Sequence, residues 1–382
     1  MSNAARVSAV IVTFNPEGDG LRELLTALRP QVASGVIVDN GSANADVVGA
    51  LAEEYCLHFL ACETNLGIAA AQNRGMTWAL REGATHVLLS DQDSIPAPDM
   101  VGQLLECLED ESARGEREGL APVAAVGPVP TDARGTGEDE SFPATSEGNA
   151  GASGEAVEEA RENLHWPGVG ADSGKDGGEG LERATTLADH QRNARKDSSP
   201  QEAGQRFPVS PESALVYSFT TWGAKRRTIP GPGEILEVPF VLASGCLIPR
   251  EALVTVGPMN ESLFIDHVDL AWCLRAVAMG YRILVCGSAH LTHALGEDKV
   301  TLPGGRQVHA QSVARNYFMV RNTLFLWRAP FLPLAWKLGY LSYLTKYLAF
   351  YTVMSLGEPR RLRELGAGVR DGLLGRGGPR PL

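Results

Sequence analysis

Residues 7–16 read VSAVIVTFNP. The run 7–14 is continuous, apolar and rich in β-branched residues, the pattern of a strand buried on both faces rather than one. Residues 35–39 (GVIVD) repeat it, 57–62 repeat it more weakly, and 86–90 (HVLLS) form a fourth run. Between them, 21–28, 47–54 and 68–81 space their apolar residues as helices do. The order β-α-β-α-β-α-β predicts an α/β domain with a mostly parallel, doubly wound sheet. Such sheets bind ligands beyond the carboxyl ends of their strands. Those ends read Thr13-Phe14-Asn15, Asp39-Asn40-Gly41-Ser42, Asn65-Leu66-Gly67 and Asp91-Gln92-Asp93. All four are polar, and two carry carboxylates.

Two nucleotide folds are excluded at once. The turn after the first strand reads NPEGDG, with no GxGxxG, and no GxxxxGK[ST] loop occurs anywhere. A diphosphate here needs another neutraliser, and a divalent cation held by carboxylates supplies it. Over 382 residues, 44% are hydrophobic and the net charge is −12, which excludes wholesale disorder and argues against a nucleic-acid binder. The six cysteines form no CxxC pair and are expected to be small buried apolar residues. The first apolar run is too short for a signal peptide, so the chain is expected in the cytoplasm with reduced thiols.

The charge is unevenly spread. From 132 to 202 there are 16 acidic and 7 basic residues in a Gly-rich stretch almost without branched aliphatics. This stretch cannot offset its ordering entropy. Residues 131–235 are therefore expected to be a largely disordered, dispensable insertion, with a partly ordered return arm from 207 to 232. From 315 to the end, 11 basic residues face 3 acidic ones, and the run 331–356 is interrupted only by Lys337 and Lys346. A lysine near a bilayer centre costs about 2.5–3.5 kcal/mol on insertion scales. The run is accordingly expected to be an interfacial helix at the inner face of a membrane, not a span.

Asp91-x-Asp93 follows the fourth strand. Carboxylates two apart on an extended backbone point the same way, so one magnesium or manganese ion can meet both. A carboxylate at 39 suits the N3–H of a pyrimidine; it equally suits an Asp-Asn-Gly-Ser turn. Asn65 is placed to cap the helix from Ile68.

At this point a resemblance carries further. VSAVIVTFNP, VIVDNGS (36–42), ETNLGIAAAQNRGM (63–76) and VLLSDQDS (87–94) follow one another at the spacing of family 2 glycosyltransferases. VPFVLASGCLIPREAL (238–253), FIDHVDLAWCLRAVAMGYRILV (264–285), THALG (292–296) and ARNYFMVRN (314–322) resemble the rhamnosyltransferase branch. The resemblance covers about 1–130 and 236–330. It implies a nucleotide-diphospho-sugar transferase (GT-A) fold, divided into a nucleotide-sugar half (1–130), the insertion (131–235), an acceptor and catalytic half (236–300) and a C-terminal helical region (301–382).

The same resemblance implies roles. Thr13, Asn15, Asp39, Asn65, Gly67, Asn73, Arg74 and Asp91 would bind the nucleotide sugar. Asp91, Asp93 and His293 would hold Mg2+ or Mn2+. Trp272 and Arg275 would face the acceptor or diphosphate. The base would come from Asp266, His267 and Asp269, with Asp266 favoured. On a helix starting there, 266 and 269 share a face, the helix N-terminus lowers their pKa values, and His267 titrates near neutrality. The implied activity is inverting, metal-dependent transfer to a cell-envelope or lipid-linked saccharide, with dTDP-L-rhamnose the expected donor. UDP-galactofuranose, UDP-N-acetylglucosamine and UDP-glucose remain alternatives, as does an inactive sugar-nucleotide-binding protein. A nucleotidyltransferase would need a Gly-rich signature with lysine after the first strand, which TFNPEGDG lacks.

Overall fold

Every residue of strand β1 (Val7–Thr13) is buried. Ala9 and Ile11 face one side of the sheet, against Leu21, Leu24, Leu25 and Leu28 of helix α1 (Gly18–Leu28). Val10 and Val12 face the other, against helix α3 (Ile68–Arg81). There the contact is close: a Cβ on Gly75 would lie 2.3 Å from Val10 Cγ1. Each such fully buried aliphatic contributes roughly 1.5–3 kcal/mol, so burial on both faces fixes β1 as the central strand.

The computed structural model describes residues 5–132, 217–220, 223–226, 229–293, 299–301, 307–309, 312–355 and 358–380. β1 lies between β2 (Ser34–Asp39) and β4 (His86–Asp91), with β3 (His58–Ala61) outside β2, and all four run parallel. Helix α2 (Ala45–Glu54) joins β2 to β3. The chain continues through β5 (Ser94–Pro96), α4 (Met100–Glu118) and β6 (Val123–Asp132). After the insertion come β9 (Ile235–Val238), β10 (Leu247–Pro249), α5 (Arg250–Val256), α6 (Val268–Ala278) and β11 (Arg282–His293). Among the described residues these make one nine-stranded sheet, in the order β3-β2-β1-β4-β10-β6-β11-β5, with β9 also on β11. Only β10, β5 and β9 run against their neighbours. This is the mostly parallel, doubly wound sheet expected.

Residues 133–216, most of the expected insertion, lie outside the described residues. Within the expected return arm, β7 (Tyr217–Thr220) and β8 (Gly223–Arg226) form an antiparallel hairpin. A second hairpin joins β12 (Lys299–Thr301) to β13 (Gln307–His309). The C-terminal region is helical as expected: α7 (Val313–Arg328), α8 (Leu334–Met354) and α9 (Pro359–Leu374). All six cysteines are free, and five are buried; Cys56, at φ 52 in the turn after α2, is exposed, against expectation.

Glu111 of α4 and Arg282 of β11 tie that helix to the sheet. The Arg282 guanidinium donates to Glu111 Oε2 at 2.7 Å, to the Glu111 carbonyl and to the Ala121 carbonyl, with both side chains about nine-tenths buried. Burial works to raise the Glu111 carboxyl, but the bonds from Arg282 and Arg114 outweigh it and hold it below the usual range. Glu111→Ala should therefore strand a buried cation and cost about 3–5 kcal/mol at pH 7. A depressed carboxylate stabilises above its unfolded pKa of about 4.3 and loses that contribution as the pH falls further. Urea melts at pH 7 and pH 3 should show the variant and parent converging at the lower pH; a gap that persists there would show that packing, not charge, sets the loss.

Candidate active site

The strand order reverses between β1 and β4, so the crevice above their carboxyl ends is where the fold places a ligand. Thr13 and Asp39 are register partners there. Thr13 Oγ1 donates to Asp39 Oδ1 at 3.0 Å, and the Ser42 backbone N–H donates to Asp39 Oδ2 at 2.9 Å. The Ser42 hydroxyl also donates to Oδ1, and Asp39 is fully buried. The Asp-Asn-Gly-Ser turn thus occupies most of the carboxylate's capacity and leaves acceptor capacity mainly on Oδ2. Asn15, at φ 48, donates its N–H to Ser42 Oγ and accepts from the Ala43 N–H. Gln92, between the two acids, bonds both backbone groups of Phe14, accepting at 2.7 Å and donating at 3.3 Å. The ends of β1, β2 and β4 are thereby laced into one surface.

The next segment differs in its details from expectation. Asn65 does not cap the helix. Its Oδ1 accepts from the Asn40 side chain and from the Gly67 N–H. The Ile68 N–H is instead taken by the Phe264 carbonyl at 2.7 Å, from the other half of the domain. Gly67 is required there: its φ is +88°, and a Cβ would lie 2.6 Å from the Phe264 oxygen. Asn73, expected to bind nucleotide, is spent as a clamp. Its amide donates to the Met259 carbonyl and to Glu261 Oε1, and its oxygen accepts from the Met259 N–H. Arg74 is exposed and donates to Cys62 Sγ.

The two acids of Asp91-x-Asp93 are not on one extended run. β4 ends at Asp91, and Gln92-Asp93 form the turn into β5. The turn still keeps the carboxylates together: burial, then the Asp93 charge, then that of Asp269 push the Asp91 carboxyl up to about 7, with Arg315 pulling it back. In the antiparallel pairing of β5 with β11, His293 lies opposite Ser94, so its backbone is beside Asp93. Its side chain is outside the described residues. Among those described, no group of three or more His, Cys, Asp or Glu forms a metal cage. Crowded oxygen donors of one sign nonetheless fit a hard divalent cation that takes its other ligands from water and phosphate.

Asp269 reaches the same place from the opposite half. It sits in the first turn of α6; its Oδ2 accepts from the Ala243 N–H at 3.3 Å and its Oδ1 from the Leu270 N–H at 2.8 Å. The neighbouring Ser244 hydroxyl accepts the Asp91 N–H at 3.1 Å, so two consecutive residues brace both acid-bearing segments. Burial raises the Asp269 carboxyl despite these backbone bonds. The helix N-terminus was expected to lower it; here desolvation wins.

Asp266 is placed otherwise. α6 begins at Val268, so 266 and 269 do not share a helical face. Phe264, Asp266 and His267 all have φ between 61° and 65°, each costing on the order of 1–3 kcal/mol. Asp266 Oδ1 accepts two bonds from Arg315, at 2.9 and 3.1 Å. His267 does not titrate near neutrality, because burial pushes its imidazole down to about 4. Thr323 Oγ1 donates to the Met319 carbonyl, so His267 Nε2, 3.0 Å from that oxygen, is the protonated nitrogen. Trp272 and Arg275, expected at the acceptor or diphosphate, bond to the backbone that follows α5. The Trp272 indole donates to the Gly257 carbonyl, and Arg275 binds the carbonyls of Gly257 and Pro258.

Sequence reading missed Gln92, Ser244 and Arg315. Arg315 had a signal: it opens the ARNYFMVRN segment at the start of a helix. The crowding of Asp91 yields a test. A carboxyl raised from 3.8 to about 7 costs folding free energy once the pH exceeds the unfolded value. Without divalent cation, Asp91→Asn should gain roughly 1–3 kcal/mol at pH 8, after allowance for partial solvent screening, and nothing at pH 3. Thermal melts at both pH values check this; a variant less stable than its parent at pH 8 would show the acids to be a structural turn.

Residues 8–116, from β1 through most of α4, match the family described as glycosyl transferase family 2. The dTDP-rhamnosyl transferase RfbF of Shigella flexneri is 25% identical over 330 residues, covering 86% of this chain and 82% of that protein. Among solved structures, S. aureus TarS 1-349 in complex with UDP-GlcNAc is 13% identical with a TM-score of 0.46, covering 97% of this chain and 81% of that one. GalNAc-T7 with UDP, GalNAc and Mn2+ is 12% identical with a TM-score of 0.44, and the match covers 94% of this chain and 59% of that one. With polar strand ends at the reversal of a doubly wound sheet and the match running across them over residues 8–116, the chain is similar to family 2 glycosyltransferases.

Proposed function

We propose that the chain transfers L-rhamnose, with inversion, from dTDP-L-rhamnose to a hydroxyl of a cell-envelope or lipid-linked saccharide. The observation that carries the reading is that Asp91, above the strand reversal, lies within electrostatic reach of Asp93 from its own turn and of Asp269 from the other half. The likeness to a dTDP-rhamnosyl transferase over most of both chains supports the donor. Thr13, Asn15, Asp39 and the Asn65–Gly67 turn would shape the base and ribose pocket.

Asp269 is a better base than Asp266. Burial raises its carboxyl above the usual value, which strengthens it as a proton acceptor, and it lies within electrostatic reach of Asp91. Asp266 is committed to Arg315. In the transfer, Asp269 takes the acceptor hydroxyl's proton. The freed oxygen bonds to the anomeric carbon as the bond from that carbon to the diphosphate oxygen breaks on the opposite face. Mg2+ or Mn2+ held by Asp91 and Asp93, with His293 beside them, would neutralise charge on the leaving diphosphate. Arg315 adds a positive charge on the same side.

Release of dTDP from dTDP-rhamnose, compared with release of UDP from several UDP-sugars, tests the donor. dTDP-rhamnose should be turned over fastest, and activity should be lost on chelation. Asp269→Asn should lower transfer by about 10²–10⁴-fold and leave dTDP affinity unchanged. Selective turnover of a UDP-sugar would overturn the donor; full transfer in Asp269→Asn would overturn the base.

We also propose that the C-terminal face rests on the cytoplasmic surface of the plasma membrane. Leu334, Leu338 and Leu341 stand exposed at helical spacing along one side of α8, while Trp336, Leu344, Tyr347 and Tyr351 are buried on the other. Trp327 is exposed at the end of α7, and Lys346, Arg360 and Arg363 are exposed nearby in sequence. No helix among the described residues is long and apolar enough to cross a membrane. Each basic residue near anionic lipid contributes about 1 kcal/mol. In flotation assays with phosphatidylglycerol vesicles, the protein should bind, release in high salt, and weaken on Leu338→Glu with Leu341→Glu. Failure to float at low salt would overturn the membrane reading.

A further inference from the structure

Five consecutive carbonyls, Ser262 to Asp266, belong to no strand or α-helix, yet each is taken by a group from outside the segment. Ser262 O accepts from Arg321 and from the Gly378 N–H, and Leu263 O from Arg321 and Asn322. Phe264 O accepts from Ile68 N–H, while Ile265 O and Asp266 O both accept from the Asn322 amide, at 2.6 and 3.0 Å. Asn322 therefore faces three carbonyls with one NH2 group. Its own Oδ1 accepts from Arg321 Nε at 3.0 Å, which fixes the amide's orientation, and both residues are fully buried.

The segment so held is not one a chain adopts freely. Phe264, at φ 65° and ψ −64°, is the centre of a γ-turn closed by the Ile265 N–H on the Leu263 carbonyl. This γ-turn of positive φ is the rare, strained form. Two further left-handed residues follow, and His267 then caps α6, whose first turn carries Asp269. The path of 263–267 thus sets where Asp269 stands. Other groups of α7 complete the mould: Phe318 stacks on Phe264 with centroids 5.0 Å apart, and Thr323 meets His267.

We infer that Asn322 is a positioning residue for the transfer step: its amide holds the 263–267 turn in the strained path that aims Asp269 at the reacting hydroxyl. It touches no substrate. The inference rests on the reading of Asp269 as base, and it predicts a loss in turnover rather than in donor binding.

The test uses the full chain and the nucleotide sugar that the donor comparison selects. Asn322→Ala should lower kcat by about 10²-fold, the scale of an ångström-sized misplacement. KM for the nucleotide sugar and affinity for dTDP should stay within roughly threefold. Asn322→Ser, which keeps one donor, should recover part of kcat. Phe318→Leu, a milder loosening of the same turn, should show the same split and decides the matter if the Asn322 variants do not fold. A kcat within about threefold of the parent, or a fall in kcat matched by a rise in KM, would overturn the inference. Peptide-level hydrogen exchange gives a readout that needs no substrate. Asn322→Ala should speed exchange across 262–270 and, through the Ile68 bond to Phe264, at the start of α3, while leaving strand β1 unchanged; unaltered 262–270 would overturn the inference. Asp269→Asn run alongside separates the two readings. Full transfer in that variant removes the base assignment, while the exchange and kcat results still judge Asn322.

Discussion

The carboxylate of Asp91 stands within electrostatic reach of two others at the mouth of the sheet, and most of the surrounding structure can be understood as what that costs. Burial first, then the charges of Asp93 and Asp269, push the Asp91 carboxyl up to about 7, while Asp93 itself is exposed. Nothing in a free chain would bring them close. The parallel strands β1 and β4 are buried on both faces and fix one wall; the first turn of α6 fixes the other; Ala243 and Ser244 bridge them. Arg315 supplies the partly compensating positive charge. Stability given up at such a point is the usual mark of a site built for a ligand that restores the balance.

The first half of the domain was readable from sequence because its signals are local. Runs such as VSAVIVTF and HVLLS need no partner to declare themselves, and the first four strands and three helices fall close to where periodicity puts them. The acid-bearing residues were also readable as residue types. Their geometry was not, because it depends on distant groups. Asp266 was favoured as base until Arg315, 49 residues on, was seen to engage it. The resemblance implied that Trp272 and Arg275 face the acceptor or diphosphate, yet they bind the Gly257–Pro258 backbone. Asn73 resembled a nucleotide ligand and is a clamp to Met259 and Glu261. In each case the deciding partner lies on another element, where spacing along the chain carries no information.

His267 shows the same limit in a different form. Its unperturbed chemistry suggests a switch near neutrality, but burial beside Thr323 and Tyr340 keeps it neutral far below that. A reading by residue type assigns the reference pKa; the fold decides whether water is present to support it.

The contact between Gly378 and Ser262 also orders events in time. A chain leaves the ribosome from its N-terminus, and the sheet is complete in sequence once β11 has emerged. The acid-bearing turn at 262–266 cannot close then, since Arg321, Asn322 and Gly378 have yet to be made. The newly made protein therefore passes through a stage with a finished sheet and an unset 262–266 turn. The 262–266 turn is set only once residues 321–378 have come free.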